Sequence, residues 1–264
     1  MCYYNAIKIK ANEIIQLKNL GQKVLQTDLF CPVQSGFDYP QWPVIVAAGN
    51  LSWEIKMMEW GFIPPYLKNR AEVKKMRDGY KMDNGKFKPP LIILNAIGEE
   101  ILQVKKMFRQ AALMRRCLVL SSGFYEWRHV YPLGKKGLPL KTSLKYPYHI
   151  KIKDTSCFFM AGIWQSWTDK DSGEMVDSFA IVTTAANSIM EKIHNSKKRM
   201  PVILPEPLAA EWISDTLDEN RIRELAVYQL DSSIMEAYTV AKNFREETDP
   251  MRPCNYPELP ELVI

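Results

Sequence analysis

Arg115-Arg116-Cys117-Leu118-Val119-Leu120-Ser121-Ser122-Gly123-Phe124-Tyr125-Glu126-Trp127 is the stretch on which the reading of this chain turns. Its first half, Cys117 to Leu120, is a short apolar run bounded by polar residues and reads as a β-strand. Its second half, just after that strand, places one carboxylate, Glu126, among Phe124, Tyr125 and Trp127. Similar β-branched and aromatic runs at 44–48, 91–94, 148–152, 157–164, 179–184 and 202–204 read as further strands. The clearest helix-like segment runs from Glu99 to Leu113, with Ile101, Val104, Phe108 and Ala111 on one face and Glu99 and Glu100 suited to its N-terminus. Two more run from Ala186 or Asn187 to about His194 and from Pro207 to Ile213, with Pro207 in a first turn.

These elements alternate too irregularly for a doubly wound sheet, and no internal repeat is present. The expected fold is α+β: a single domain around a mostly antiparallel, barrel-like sheet with peripheral helices. Residues 2–241 form that domain. The stretch 66–90, polar and Lys-rich, reads as an inserted surface loop or short helix. From 242 to 264, with Pro250, Pro253, Pro257 and Pro260, the chain reads as an extended tail, strap or loose end.

At 264 residues the chain can bury a substantial core, and its 47% hydrophobic and 25% charged content is ordinary for a globular protein. No apolar run approaches the roughly 20 residues a membrane helix needs. The start, Met1-Cys2-Tyr3-Tyr4-Asn5, lacks the features of a signal peptide. A cytoplasmic location, nucleoid-associated when on DNA, and no membrane partner are expected. Five scattered cysteines without a Cys-x-x-Cys pair argue against a disulfide framework or a structural zinc site; Cys117 and Cys157 read as buried, inert thiols. No metal and no cofactor is expected, and the protein is expected to act as a monomer.

The net charge is only +5, yet residues 101–153 hold twelve Lys/Arg and one acid, Glu126, while residues 205–264 hold thirteen acids and five bases. Taken together, the basic stretch suits a polyanion, with nucleic acid foremost. A ligand drawn there would meet Glu126. Two readings stand for that carboxylate: aromatic burial raises its pKa toward the range useful for proton transfer, or Arg115, Arg116 or Arg128 pairs with it and lowers the pKa. Of three histidines, His149 reads as half-buried in a strand and His129 as a loop residue. His194, at a helix-to-strand junction beside Lys197-Lys198-Arg199, is the better catalytic candidate.

Cys2 stands apart because of its position. Aminopeptidase removal of Met1 leaves a cysteine with a free α-amine of reference pKa about 7.7–8.0. An amine and a thiol on adjacent carbons condense with an aldehyde: the amine forms a Schiff base, and the thiol closes a five-membered thiazolidine. No internal residue can do this. By itself, cysteine at position 2 carries no more weight than chance.

Met1-Cys2, Trp60-Gly61-Phe62-Ile63-Pro64-Pro65, Asn95-Ala96 with Glu99, Arg115-Arg116-Cys117-Leu118, Gly123-Phe124-Tyr125-Glu126-Trp127, and His194 followed by Arg199-Met200-Pro201-Val202-Ile203-Leu204 occur in order along the chain. Together they resemble the SRAP (SOS-response-associated peptidase) family. The resemblance implies a sensor of abasic sites in single-stranded DNA that crosslinks to the ring-opened sugar through Cys2. It implies that Asn95 orients the N-terminus or sugar, that Glu126 is the acid/base opening the deoxyribose, and that His194 assists protonation and Schiff-base chemistry. Arg115, Arg116, Lys198 and Arg199 are the expected phosphate contacts, and Trp60 to Tyr66 a stacking or wedge loop. Alternatives are an N-terminal-nucleophile cysteine peptidase using the same residues, or a non-catalytic single-strand binding module. Departures from the family pattern lie at docking positions: Tyr3-Tyr4 where many relatives have Gly-Arg, Ile97 for an arginine, and three extra residues between His194 and Arg199.

Overall fold

A computed structural model describes residues 2–49 and 52–262. Five strands close on themselves: Gln41–Ala47 pairs Trp53–Trp60 and Arg116–Ser121, the latter pairs Phe158–Thr168, and Met175–Ala185 joins Phe158–Thr168 back to Trp53–Trp60. All of these contacts are antiparallel except the last. Closure removes free sheet edges and turns alternate side chains into a common interior. Short strands Asn95–Ile97, Arg199–Pro201 and Ile203–Leu204 extend this sheet. A second, five-stranded sheet runs Met235–Thr239, Leu144–Ile152, Gly123–Val130, Tyr4–Ile9, Leu29–Ser35. The two sheets meet through the Ser121-Ser122-Gly123 link, where the buried Ser121 hydroxyl donates to Asn5 Oδ1 across 2.6 Å. The architecture is thus α+β, with a barrel and few helices.

The apolar runs at 117–120, 148–152 and 179–184 fall wholly in strands, those at 44–48 and 157–164 fall in strands but for Ala48 and Cys157, and helices Ser188–Ile193 and Glu206–Trp212 form where expected. Of the run 202–204, Val202 lies between two short strands and only Ile203–Leu204 is in one. Three expectations fail for physical reasons. The helix over Glu99 to Leu113 is absent: a 3-10 turn at Gly98–Glu100 is followed by turns and a short helix, Arg109–Met114. Ile101 and Leu102 are both buried, although adjacent residues point a hundred degrees apart on a helix, and Lys105 has a left-handed φ of 71°. Residues 91–94 are not a strand; pairing starts at Asn95. Glu126 lies inside a strand, not after one.

The inserted stretch 66–90 contains helix Arg70–Asp78, capped by Asn69, and a small hairpin, Tyr80–Lys81 with Phe87–Lys88. Its helix is anchored by the buried Glu59, which accepts from Arg70 (3.2 Å) and Arg77 (2.7 Å). Beyond residue 241 the chain crosses the outer face of the second sheet. Phe244 is buried there, stacked on Tyr125 at 4.4 Å, and Arg128 donates to the Pro260 carbonyl at 2.6 Å. No helix among the described residues is long and apolar enough to cross a membrane.

Candidate functional site

Cys2 stands two residues before strand Tyr4–Ile9 begins and is fully buried. Its carbonyl accepts a 3.0 Å hydrogen bond from Asn95 Nδ2. Asn95 opens a strand held parallel to Met175–Ala185, opposite Ile181, so the barrel sets its height. Two glycines make that placement possible. A Cβ on Gly98 would lie 1.9 Å from the Ala226 carbonyl, and one on Gly36 would press on Leu94 and Trp60 at 3.0 Å.

Strand Gly123–Val130 lies beside Tyr4–Ile9, with Tyr125 opposite Tyr4, which carries Glu126 to the N-terminal segment. The Glu126 carboxyl is 4% exposed. Burial pushes its pKa up to about 7, because an ion in a low-dielectric site forgoes hydration. The three arginines offered as ion-pair partners are engaged elsewhere: Arg115 with Gln165, Arg116 with backbone carbonyls and Arg128 with Pro260. Burial also drives the Cys2 thiol well above its ordinary value, and the nearby Glu126 carboxylate adds to this. The thiol stays protonated at neutral pH.

His194 caps helix Ser188–Ile193, whose N-terminus is closed by Asn187 Oδ1 accepting from Met190 N–H at 3.1 Å. The ring is held in one tautomer. Its Nδ1 lies 2.8 Å from the Arg199 carbonyl, which can only accept, so Nδ1 carries the proton; the Arg199 N–H approaches the same atom at a longer 3.4 Å. Nε2 lies 3.8 Å from Glu126 Oε2. This contact is not an ion pair in the usual sense, since burial lowers the His194 pKa to about 4 and keeps the ring neutral. A carboxyl near pKa 7 beside a neutral imidazole can pass a proton either way at neutral pH.

Asn195 was missed by the sequence reading. Its side chain accepts from His129 N–H (2.9 Å) and donates to the His129 carbonyl (2.8 Å), clamping the His194 loop to the strand of Glu126. The only signal for it is its place beside His194, in the segment longer by three residues than the family pattern.

The expected DNA contacts divide. Tyr66 is 60% exposed and Lys198 is exposed, salt-bridged to Glu191. Arg199 is half-buried in a bidentate pair with Glu99 (2.7 and 2.8 Å) and also reaches the Thr183 carbonyl. Arg115 stands at the end of strand Arg116–Ser121 away from Ser121. Two are placed in the interior. Arg116 is buried, its guanidinium donating to the carbonyls of Ala112, Leu113, Trp212 and Ser214, so it closes the C-terminus of a helix and has one N–H left over. Trp60 is a core residue, fully buried, stacked on Phe179 at 6.3 Å and donating from Nε1 to the Leu94 carbonyl at 3.1 Å. Both side chains are engaged inside the protein. Among the described residues, no group of three or more His, Cys, Asp or Glu could hold a metal ion.

The abasic site processing protein YoqW of Bacillus subtilis (strain 168) is 31% identical over 184 residues, 70% of this chain and 68% of that protein. The abasic site processing protein HMCES of Xenopus tropicalis is 27% identical over 174 residues, covering 59% of this chain and 44% of its own. A crystal structure of a protein from Bacteroides thetaiotaomicron superposes with a TM-score of 0.70 at 28% identity, covering 96% of this chain and 97% of the other. The family model described as SOS response associated peptidase (SRAP) matches residues 1–246, and the chain belongs to that family.

Proposed function

We propose that this protein processes abasic sites in single-stranded DNA by forming a covalent thiazolidine through Cys2 once Met1 is removed. The observation that carries the reading is the meeting, at one buried point, of Cys2, the Asn95 amide on its carbonyl, and a Glu126 carboxyl with a pKa near 7. The printed names of the curated relatives, abasic site processing proteins, favour the same substrate.

In this reading the freed Cys2 amine attacks the C1 aldehyde of the ring-opened deoxyribose. Glu126, protonated, donates to the departing hydroxyl, so one water leaves and a Schiff base forms. The Cys2 thiol, still carrying its proton, adds to the imine carbon, and that proton passes to the imine nitrogen. Aldehyde and aminothiol thus give thiazolidine and water, with no oxidant or reductant. Asn95 holds the Cys2 backbone so that amine and thiol face one carbon. Neutral His194 exchanges protons with Glu126 and the sugar.

Incubation with single-stranded DNA bearing an abasic site, followed by denaturation, tests this. A heat-stable adduct formed by the wild type and lost in Cys2→Ala is expected. An adduct that persists in Cys2→Ala refutes the assignment, and peptide turnover without DNA would favour the peptidase alternative.

A further inference from the structure

The inserted stretch 66–90 carries eight Lys/Arg against three acids, interleaved with Tyr66, Tyr80 and Phe87. Its helix and hairpin enclose an open groove of about 390 Å³ lined by Tyr66, Lys75, Met76, Tyr80, Lys88 and Leu91, within the size of small-ligand clefts. Four of the insert's charges are spent internally or on the barrel: Arg70 and Arg77 bind Glu59, and Lys74 pairs with Asp78. Lys75 and Lys88 are different. Neither has a carboxylate within 4 Å among the described residues, and Lys88 Nζ sits 5.6 Å from the Tyr80 ring centroid, over its face. The one carboxylate in the wall, Glu72, is occupied by the Lys68 N–H at 2.7 Å.

A short run of backbone joins the groove's wall to the Cys2 centre. Leu91, in its wall, is tied to the insert by a 2.8 Å bond from its N–H to the Met76 carbonyl. Four residues later stands Asn95, on the carbonyl of Cys2. Four residues of extended chain span at most about 14 Å. An exposed ring, Tyr66, and a half-buried one, Tyr80, beside unpaired lysines are what a single strand needs, bases stacking on the rings and phosphates meeting the cations.

We propose that the groove between helix Arg70–Asp78 and hairpin Tyr80–Lys88 is a second binding site for single-stranded DNA, holding a nucleotide a short distance along the strand from the lesion. Tyr66 and Tyr80 stack its base, and Lys75 and Lys88 meet its phosphates. The inference rests on single-stranded DNA being the ligand of the Cys2 centre. It assigns the inserted stretch the role of lengthening the footprint, so affinity depends on strand length beyond the lesion.

Fluorescence anisotropy with a stable tetrahydrofuran abasic analogue, which cannot form the adduct, tests the groove apart from the chemistry. Two strands are compared, one of about 15 nucleotides with a central lesion and one of about 5. The double variant Lys75→Glu/Lys88→Glu should bind the long strand roughly tenfold or more weakly and lower its log–log salt slope by about 1.4, two phosphate contacts at roughly 0.7 each. On the short strand it should stay within about twofold of wild type. Tyr80→Ala should weaken the long strand roughly tenfold and Tyr80→Phe should not, because only the ring is needed. Equal losses on both lengths, or an unchanged salt slope, overturn the proposal. Adduct formation on a short strand with a true abasic site reports separately on Cys2: a wild type that forms none sinks the crosslinking reading, while the length-dependent affinities still decide the groove.

Discussion

The side-chain amide of Asn95 donates to the carbonyl of Cys2 across 3.0 Å, joining residues 93 apart in sequence at the mouth of one buried site. Replacing this donor tests whether the N-terminal segment is held for reaction. Asn95→Ala and Asn95→Asp both remove the donated N–H, the second by leaving an acceptor-only side chain at neutral pH. Each should slow single-turnover adduct formation roughly tenfold, the worth of about 1.4 kcal/mol in one positioned hydrogen bond. Wild-type rates in both would show that the bond does not position Cys2.

Glu126 links activity to stability with opposite signs. Its folded pKa is raised from 4.5 to about 7, so between those values the folded chain binds a proton the unfolded chain has released. Stability therefore falls as pH rises through that window and stays lowered above it. Glu126→Gln removes the penalty, and at pH 8 it should be more stable than wild type by about 3 kcal/mol at most, with the two converging near pH 4. The same variant should slow adduct formation and abolish a rate inflection near pH 7. Chemical denaturation at both pH values and rate–pH profiles read this. A less stable Glu126→Gln at pH 8 contradicts burial as the cause.

His194 is held neutral, its pKa lowered to about 4 by burial. The inflection near pH 7 should accordingly survive in His194→Ala, at a lower absolute rate, and vanish only with Glu126. If His194→Ala removes it, the titrating group has been misassigned.

Asn195 acts on His194 through the loop it clamps to His129. Both bonds are at the surface, so Asn195→Ala should cost less than about 1.5 kcal/mol of stability. It should still slow the adduct several-fold, and Asn195→Asp, which keeps the acceptor half, should recover part of the loss. A drop in thermal stability with no kinetic effect would leave Asn195 a merely structural residue.

Gly123 touches His149 where a side chain cannot fit: a Cβ there would lie 2.2 Å from His149 Nε2. Gly123→Ala should destabilise by roughly 1–3 kcal/mol through overpacking, and His149→Ala in the same chain should recover much of it. Thermal melts of the single and double variants measure the coupling; additive losses would place the strain elsewhere.

Four of the five barrel strands were legible because closure buries their interior faces, and burial leaves runs such as Leu118-Val119-Leu120 and Phe179 to Thr184 in the sequence; the fifth, Trp53–Trp60, was not, because Glu54, Lys56 and Glu59 break up its apolar residues. Ser188–Ile193 falls inside the segment read as helical, from Ala186 or Asn187 to about His194. The helix over Glu99 to Leu113 misled, because its apolar spacing does not follow burial: Val104, on the expected apolar face, is 75% exposed, while Leu102, off that face, is buried beside Ile101. Turns rather than a helix bring Ile101 and Leu102 to the core.

The proposed reactive set was visible as residue types, a cysteine at position 2, a carboxylate among aromatics and a histidine at a junction. Their chemistry depends only on covalent structure and local composition. Their meeting depends on pairings far apart in the chain, Tyr4 against Tyr125 and Ile181 against Asn95. So does the choice between the two readings of Glu126, since a pKa answers to three-dimensional burial, and the arginines beside it in sequence point to other partners. Trp60 and Arg116 show the same limit: an aromatic and a cation suited to DNA became a core ring and a helix cap. Side-chain type sets what a residue can do; the tertiary environment, through desolvation and the partners it supplies, decides which of those things it does.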